Sequence, residues 1–232
     1  MLNGSDYTFV DLKEMVTKWK MDWNKKYKNP RSAIDLEMAV KISKNPPPNT
    51  SKVWWSLYIL IGWSFLLRHG EVRQISPSSV NRVVLPWRGK NTAFWIVVID
   101  KPKTDKGMNG YNTVRIRETT MPSGFANDLY WFTQLQDQNL RVFETSIKKN
   151  TVCRAIRDAL LPLTGNFVFH SLRHGRATNL YTIWHYVLEE LKDVGRWKSE
   201  ASARMYIHKM QRVSFKEASY ECDEAVRFSD ST

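Results

Sequence analysis

Hydrophobic residues recur along this chain with a mostly helical period. Leu12, Met15, Val16, Trp19 and Trp23 fall three and four apart behind Asp11 and Glu14, which have capping-box-like spacing. They predict a first helix over residues 11–25. The run "KWKMDWNKKYKNPR" closes it with a basic stretch that ends at Pro30–Arg31 and reads as a linker. A second helix is predicted from Ser32, with Asp35 three residues on, through "AIDLEMAVKIS"; the "NPPP" at 45–48 stops it, because prolines cannot continue a helix. The most apolar run, "VWWSLYILIGWSFLL" at 53–67, predicts a buried core helix ending directly on Arg68. It falls short of the ~20 residues a bilayer span requires. The period then changes. "RVVLPW", "AFWIVVID" and "YNTVRIR" are rich in β-branched and aromatic residues and predict strands; "KPKTDKGMNG" between the last two is a turn by composition. Residues 82–117 are therefore expected to form a small antiparallel sheet with a basic hairpin tip. Helix returns in "SGFANDLYWFTQLQ", "TVCRAIRDALL", "SLRHGRATNLYTIW", "YVLEELKDV", which ends at Gly195, and "SEASARMYIHKM", with Ser199 as its N-cap.

Composition narrows the function classes. The 232 residues are 42% hydrophobic, enough for a core, and carry a formal net charge of +12. A compact basic protein attracts polyanions, nucleic acid most often and anionic membrane surfaces less often. No membrane span or secretion signal is expected, since the N-terminus lacks the basic-then-apolar order of a leader. Cys153 and Cys222 form no metal-ligand pattern and read as reduced thiols of an intracellular protein. From Val213 the sign of the charge reverses, with Glu217, Glu221, Asp223, Glu224 and Asp230 outnumbering Lys216 and Arg227. This tail is either a frayed, solvated end or a segment that docks on a neighbouring protomer.

The candidate chemistry lies in "HSLRHGRATNL", residues 170–180. His170 and His174 share a helix face at i, i+4, a zinc-site spacing, but no carboxylate stands between them and Arg173 would oppose a cation. An anion suits the stretch better. Arginine presents a planar fork matched to phosphate oxygens, and histidine donates to one. Two further stretches bear on it. In "LLRHGEVRQI", Glu71 stands three residues after Arg68 and could fix its guanidinium; the plainer reading of Arg68 is a snorkelling helix end. In "GRWKSEASARMY", Tyr206 stands nine residues after Trp197. A tyrosine on a short helix is, taken alone, usually a core or interface residue.

Taken in order, these stretches resemble the tyrosine recombinases of the phage-integrase type. "LLRHGE" matches their arginine box, "KPKTDKG" their lysine on a turn between strands, and "HSLRHGRAT" their H-x-x-R followed by His and Gly. "GRW" with Tyr206 matches their G-(H/W) and the tyrosine nine residues on. The match runs over residues ~32–210. It implies a mainly α fold with a small antiparallel sheet (α+β), the DNA breaking-and-rejoining catalytic domain, over residues 32–212. Residues 1–31 would be a reduced or truncated core-binding region, and residues 213–232 a tail that docks in trans. It also implies a site. Tyr206 would be the nucleophile forming a 3′-phosphotyrosyl link, and Arg68 and Arg173 would clamp the phosphate. His170 would donate to it or assist proton transfer, Trp197 would pack by the nucleophile and donate its indole N–H, and Lys103, with Lys106 as the alternative, would protonate the leaving oxygen. Glu71 would orient Arg68, while His174 and Arg176 would support the clamp or lie outside it. The family implies no metal and no cofactor, double-stranded DNA as partner, and a homotetramer on DNA. The chain would work in the nucleus of a eukaryote, or in the cytoplasm or nucleoid of a prokaryote or phage. Trp197 stands where histidine is more usual, and only about 30 residues precede the catalytic pattern, so the chain is a fragment or its DNA clamp is completed by something else. Two neighbouring readings are a type IB topoisomerase-like enzyme and a DNA-binding domain of this fold that has lost turnover.

Overall fold

The computed structural model describes residues 32–99, 113–141 and 148–207. The chain divides between Arg31 and Ser32, and all described residues lie in the second unit. They form a mainly α fold with one small antiparallel sheet. In chain order the elements are α1 (Leu36–Ser43), α2 (Lys52–Ser64), α3 (His69–Val72), β1 (Val80–Trp87), β2 (Lys90–Val98), β3 (Thr113–Arg117), α4 (Phe125–Thr133), α5 (Lys149–Ala159), α6 (Phe169–Thr182), α7 (Leu188–Gly195) and α8 (Glu200–Arg204). The helix expected over 11–25, the lysine-bearing turn and the acidic tail lie outside the described residues. Among the described residues no helix is long and apolar enough to cross a membrane.

The core is organised around α2. Its side chains are apolar on every side, as expected of a helix buried all round rather than on one stripe. Trp55, Tyr58, Ile59, Ile61 and Trp63 are fully buried, and α1, α4 and α6 pack against the helix. The two indoles bring polar N–H groups into this core, and both are satisfied. Trp55 donates to the Ile42 carbonyl at 2.7 Å and Trp63 to the Ile34 carbonyl at 3.0 Å. The second bond pins the extended segment ahead of α1 to the core. The Ile34 amide in turn donates to Ser171 O at 3.0 Å, which brings this segment against α6. The approach is so close that a Cβ on Gly175 would overlap the Ile34 carbonyl.

The sheet has strand order β1-β2-β3, antiparallel throughout. Its first hairpin turns on Arg88 and Gly89, both with positive φ (49° and 77°), the two-residue type I′ geometry that matches strand twist. Val80, Trp95, Val97, Val114 and Ile116 point to one face and enter the core.

Three departures from the expected boundaries bear on the site. α1 starts later than Ser32: Asp35 is the N-cap, accepting from Met38 N at 2.8 Å, while Ser32 Oγ accepts from Asn166 N at 3.1 Å. α2 stops at Ser64, so Arg68 caps the separate short helix α3 instead of following the apolar helix directly. Tyr206 lies in the turn just past α8, two residues beyond its end, and not on the helix itself.

Candidate active site

Three chain segments meet at one cluster: the turn after α2, the first half of α6, and the stretch from the end of α7 to Tyr206. The two turns share one construction. After α2, Leu66 adopts a left-handed conformation (φ 51°); its amide donates to Trp63 O and that of Leu67 to Gly62 O. After α7, Arg196 does the same (φ 54°), with its amide on Asp193 O and that of Trp197 on Lys192 O. Both are Schellman motifs, and both place a non-glycine residue where glycine is the usual choice, at a cost of roughly 1–2 kcal/mol each. α7 ends at Gly195, as expected, with Arg196 rather than the glycine in the left-handed position; the missing Gly195 side chain leaves room for the Trp197 ring, which a Cβ would strike.

The side chain of Arg173 ties the two turns together. This fully buried guanidinium donates through Nη1 to Leu66 O and through Nη2 to Gly195 O. Its carbon lies 4.6 Å from the centre of the Trp197 ring and 5.4 Å from that of Tyr206. Burial, then the neighbouring charges of Arg68 and Arg196, push its pKa down. A guanidinium nonetheless stays charged at working pH.

Glu71 holds the other two arginines. Oε1 accepts from Arg68 Nη1 at 2.8 Å, while Oε2 accepts from Arg68 N and Arg196 Nη2, both at 2.7 Å. The carboxylate is buried, which alone would raise its pKa. The charge and hydrogen bond of Arg196, then the backbone bond and charge of Arg68, outweigh that and hold it at about 2. Two guanidiniums bond this one carboxylate and that of Arg173 adds a third positive charge nearby, so the cluster is net positive.

Tyr206 stands at the edge of this charge. Its hydroxyl is 3.1 Å from His170 Nε2. Its ring stacks on His174 (centroids 4.5 Å, planes 26° apart) and leans on Trp197 (4.6 Å). The Tyr206 amide donates to Ala203 O at 2.9 Å, and its carbonyl accepts from Thr178 Oγ1 on α6 at 3.4 Å. Three buried N–H groups of the cluster, Arg173 Nε, Arg196 Nε and Trp197 Nε1, have no acceptor among the described residues. Each such donor costs about 1–3 kcal/mol.

Of the residues singled out from sequence, Arg68, Glu71, His170, Arg173, His174, Trp197 and Tyr206 come together here. Lys103 and Lys106 lie outside the described residues. His174 is in direct ring contact with Tyr206. Arg176 is turned away into the core, where Ser64 O, Thr120 O, Thr120 Oγ1 and Asn179 Oδ1 accept from it. Sequence reasoning missed Arg196. An arginine between glycine and tryptophan reads as a surface residue, and only the left-handed turn directs it inward to Glu71. Among the described residues, no group of three or more His, Cys, Asp or Glu side chains is placed to hold a metal ion.

The chain matches no family model and no curated protein sequence. Its fold does recur in solved structures. The XerH site-specific recombinase bound to difH substrate, in a pre-cleavage complex, shares it at a TM-score of 0.52 and 18% identity over 78% of this chain and 51% of that one. The post-cleavage complex of XerH with palindromic difH gives 0.51 and 17% over 76% and 49%. XerA recombinase gives 0.49 and 15% over 87% and 72%. The chain spans about half the length of the XerH structures. Its mainly α fold with a small antiparallel sheet is one found in site-specific recombinases.

Proposed function

We propose that the chain is a DNA strand transferase of the site-specific recombinase or integrase kind, from a mobile element, acting through a 3′-phosphotyrosyl intermediate. The observation that carries this is the Tyr206 hydroxyl on His170 Nε2, beside a net-positive cluster of three guanidiniums and a single carboxylate. In this reading the Tyr206 oxygen attacks the phosphorus of a phosphodiester and the bond to the 5′-oxygen breaks. With His170 neutral and its proton on Nδ1, Nε2 accepts the phenol proton. Lys103 or Lys106 gives a proton to the leaving 5′-oxygen. Arg68 and Arg173 offset the charge that builds on the non-bridging oxygens, and the Trp197 N–H is a further donor for them. Glu71 and Arg196 hold Arg68 in place. Religation is the same path reversed, so the bond energy is kept and no nucleotide is consumed. The charge a metal would otherwise supply comes from arginine. Double-stranded DNA is the partner, and two cleaved duplexes imply a tetramer on DNA. The site of action is wherever the cell keeps that DNA.

The test is a nicked suicide duplex incubated with the protein in EDTA. The expected result is a covalent protein–DNA adduct that Tyr206→Phe abolishes. Loss of all cleavage in EDTA, with recovery on adding a divalent cation, would overturn the reading. Relaxation of supercoils without joined products would instead place the chain with type IB topoisomerases.

A further inference from the structure

We infer that the face of the sheet turned away from the core is a second nucleic-acid surface, which grips phosphates with arginines held on aromatic rings. The strand registers place Trp87, Lys90, Thr92, Phe94, Arg115 and Arg117 on this face. The Arg115 guanidinium lies over the rings of both Phe94 (5.1 Å) and Trp87 (5.9 Å). Arg88, in the hairpin turn, lies 5.7 Å from the Trp87 centroid. Arg117 lies over Tyr186 at 4.6 Å, and its Nε donates to that hydroxyl at 3.1 Å.

The contrast with the opposite face gives these rings their meaning. There Arg82 is neutralised by Glu118 through two bonds of 2.7 and 3.0 Å. On the ring-bearing face, Lys90, Arg115 and Arg117 have no carboxylate partner among the described residues. Arg88 has one exposed pair with Glu190, at 3.3 Å. A ring under a guanidinium fixes its plane while leaving its N–H edge for an acceptor, so little side-chain freedom is lost on binding. Arg115 and Arg117 are two residues apart on one strand, a rise of about 6.6 Å. A DNA strand presents one charge per ~3.4 Å of axis, so the pair is spaced to meet phosphates along a single strand. A repeating polyanion fits this row better than a protein carboxylate patch does, and the chain's net charge of +12 favours the same partner. The inference rests on the reading of the chain as a protein that acts on DNA, but uses no residue of the tyrosine cluster.

The experiment uses the full chain carrying Tyr206→Phe, so that no covalent product forms. It measures the affinity for two unrelated 30-base-pair duplexes as salt is varied. Adding Lys90→Gln and Arg115→Gln should lower the slope of log K against log salt by about 1–2, near 0.9 per lost phosphate contact, and weaken both duplexes alike. Arg115→Lys, which keeps the charge and loses the stacked plane, should keep the slope and bind a few-fold more weakly. Arg82→Gln, the control on the opposite face, should leave the slope unchanged. An unchanged slope in the Lys90/Arg115 variant, with the melting temperature retained, overturns the inference. So does an equal fall in the Arg82 variant, which would show only net charge at work. If the slope falls as expected but the parent with Tyr206 forms no adduct, the surface stands and the strand-transfer reading fails. If the parent binds neither duplex, both fail.

Discussion

Arg173 and Arg176 lie three residues apart on α6, and both are completely buried. Their surroundings differ in kind. All three nitrogens of Arg176 have acceptors, its ring partner Trp63 belongs to the core, and besides burial the groups that act on its charge are Tyr186 and Arg117. Arg173 has two carbonyls and an empty Nε, rests on Trp197 and Tyr206, and is crowded by two further guanidiniums. One arginine is a saturated strut between α6, α2 and the loop at Thr120. The other is under-satisfied beside excess positive charge, an arrangement that an anion would complete. Identity and burial alone do not distinguish scaffold from site; the unmet hydrogen-bonding capacity does.

Four perturbations break or sharpen this contrast. Arg176→Met should destabilise the fold by about 3–5 kcal/mol in denaturant titration, since it strands carbonyls that only Arg176 satisfies. Arg173→Lys should act on the reaction instead, slowing adduct formation by about 10²–10³-fold at saturating suicide duplex while the melting curve moves much less. If the two variants exchange these phenotypes, the assignment of strut and site is reversed. The third perturbation is acid. Glu71 titrates at about 2 in the fold against an ordinary 4.5. Its contribution to stability is therefore complete above pH 4.5 and is lost as pH falls from there toward 2, at most about 3 kcal/mol in all. Glu71→Gln should flatten that part of the stability–pH curve; a curve that is unchanged would remove Glu71 from the account. The smallest effect is expected from Arg196→Gln. Adduct formation should slow by about tenfold, the worth of one charged hydrogen bond, with unchanged duplex affinity in the Tyr206→Phe background. A loss of affinity equal to the loss of rate would make Arg196 a phosphate contact rather than a positioning residue.

Periodicity made much of this fold legible. The apolar run of α2 and the alternating strands each carry a strong signal, and the Ser199 cap sits where its residue type suggests, its hydroxyl accepting from Ser202 N at 3.2 Å. The missed features come from tertiary contacts that override local preference. Leu66 ends α2 in a left-handed seat where sequence rules look for glycine, so "FLLR" reads as continuing helix. Arg196 is missed for the same reason, and the second purpose of Gly195, space for the Trp197 ring, lies in the third dimension. The cluster itself was visible as ordered motifs, because His170, Arg173, Trp197 and Tyr206 keep spacings that the resemblance supplies. Ring contact between His174 and Tyr206 was not, since it depends on where the turn after α8 returns to α6.

The shortness of α8 has a further consequence. Within Glu200–Arg204 only Ala203 is buried. Little apolar surface therefore resists a local opening of this arm, whereas α6 buries nine residues, the two arginines among them. Opening free energies follow such differences in burial. Backbone amides of residues 200–206 should exchange with deuterium well before those of α6, so this arm is expected to open while the arginine-bearing helix stays folded.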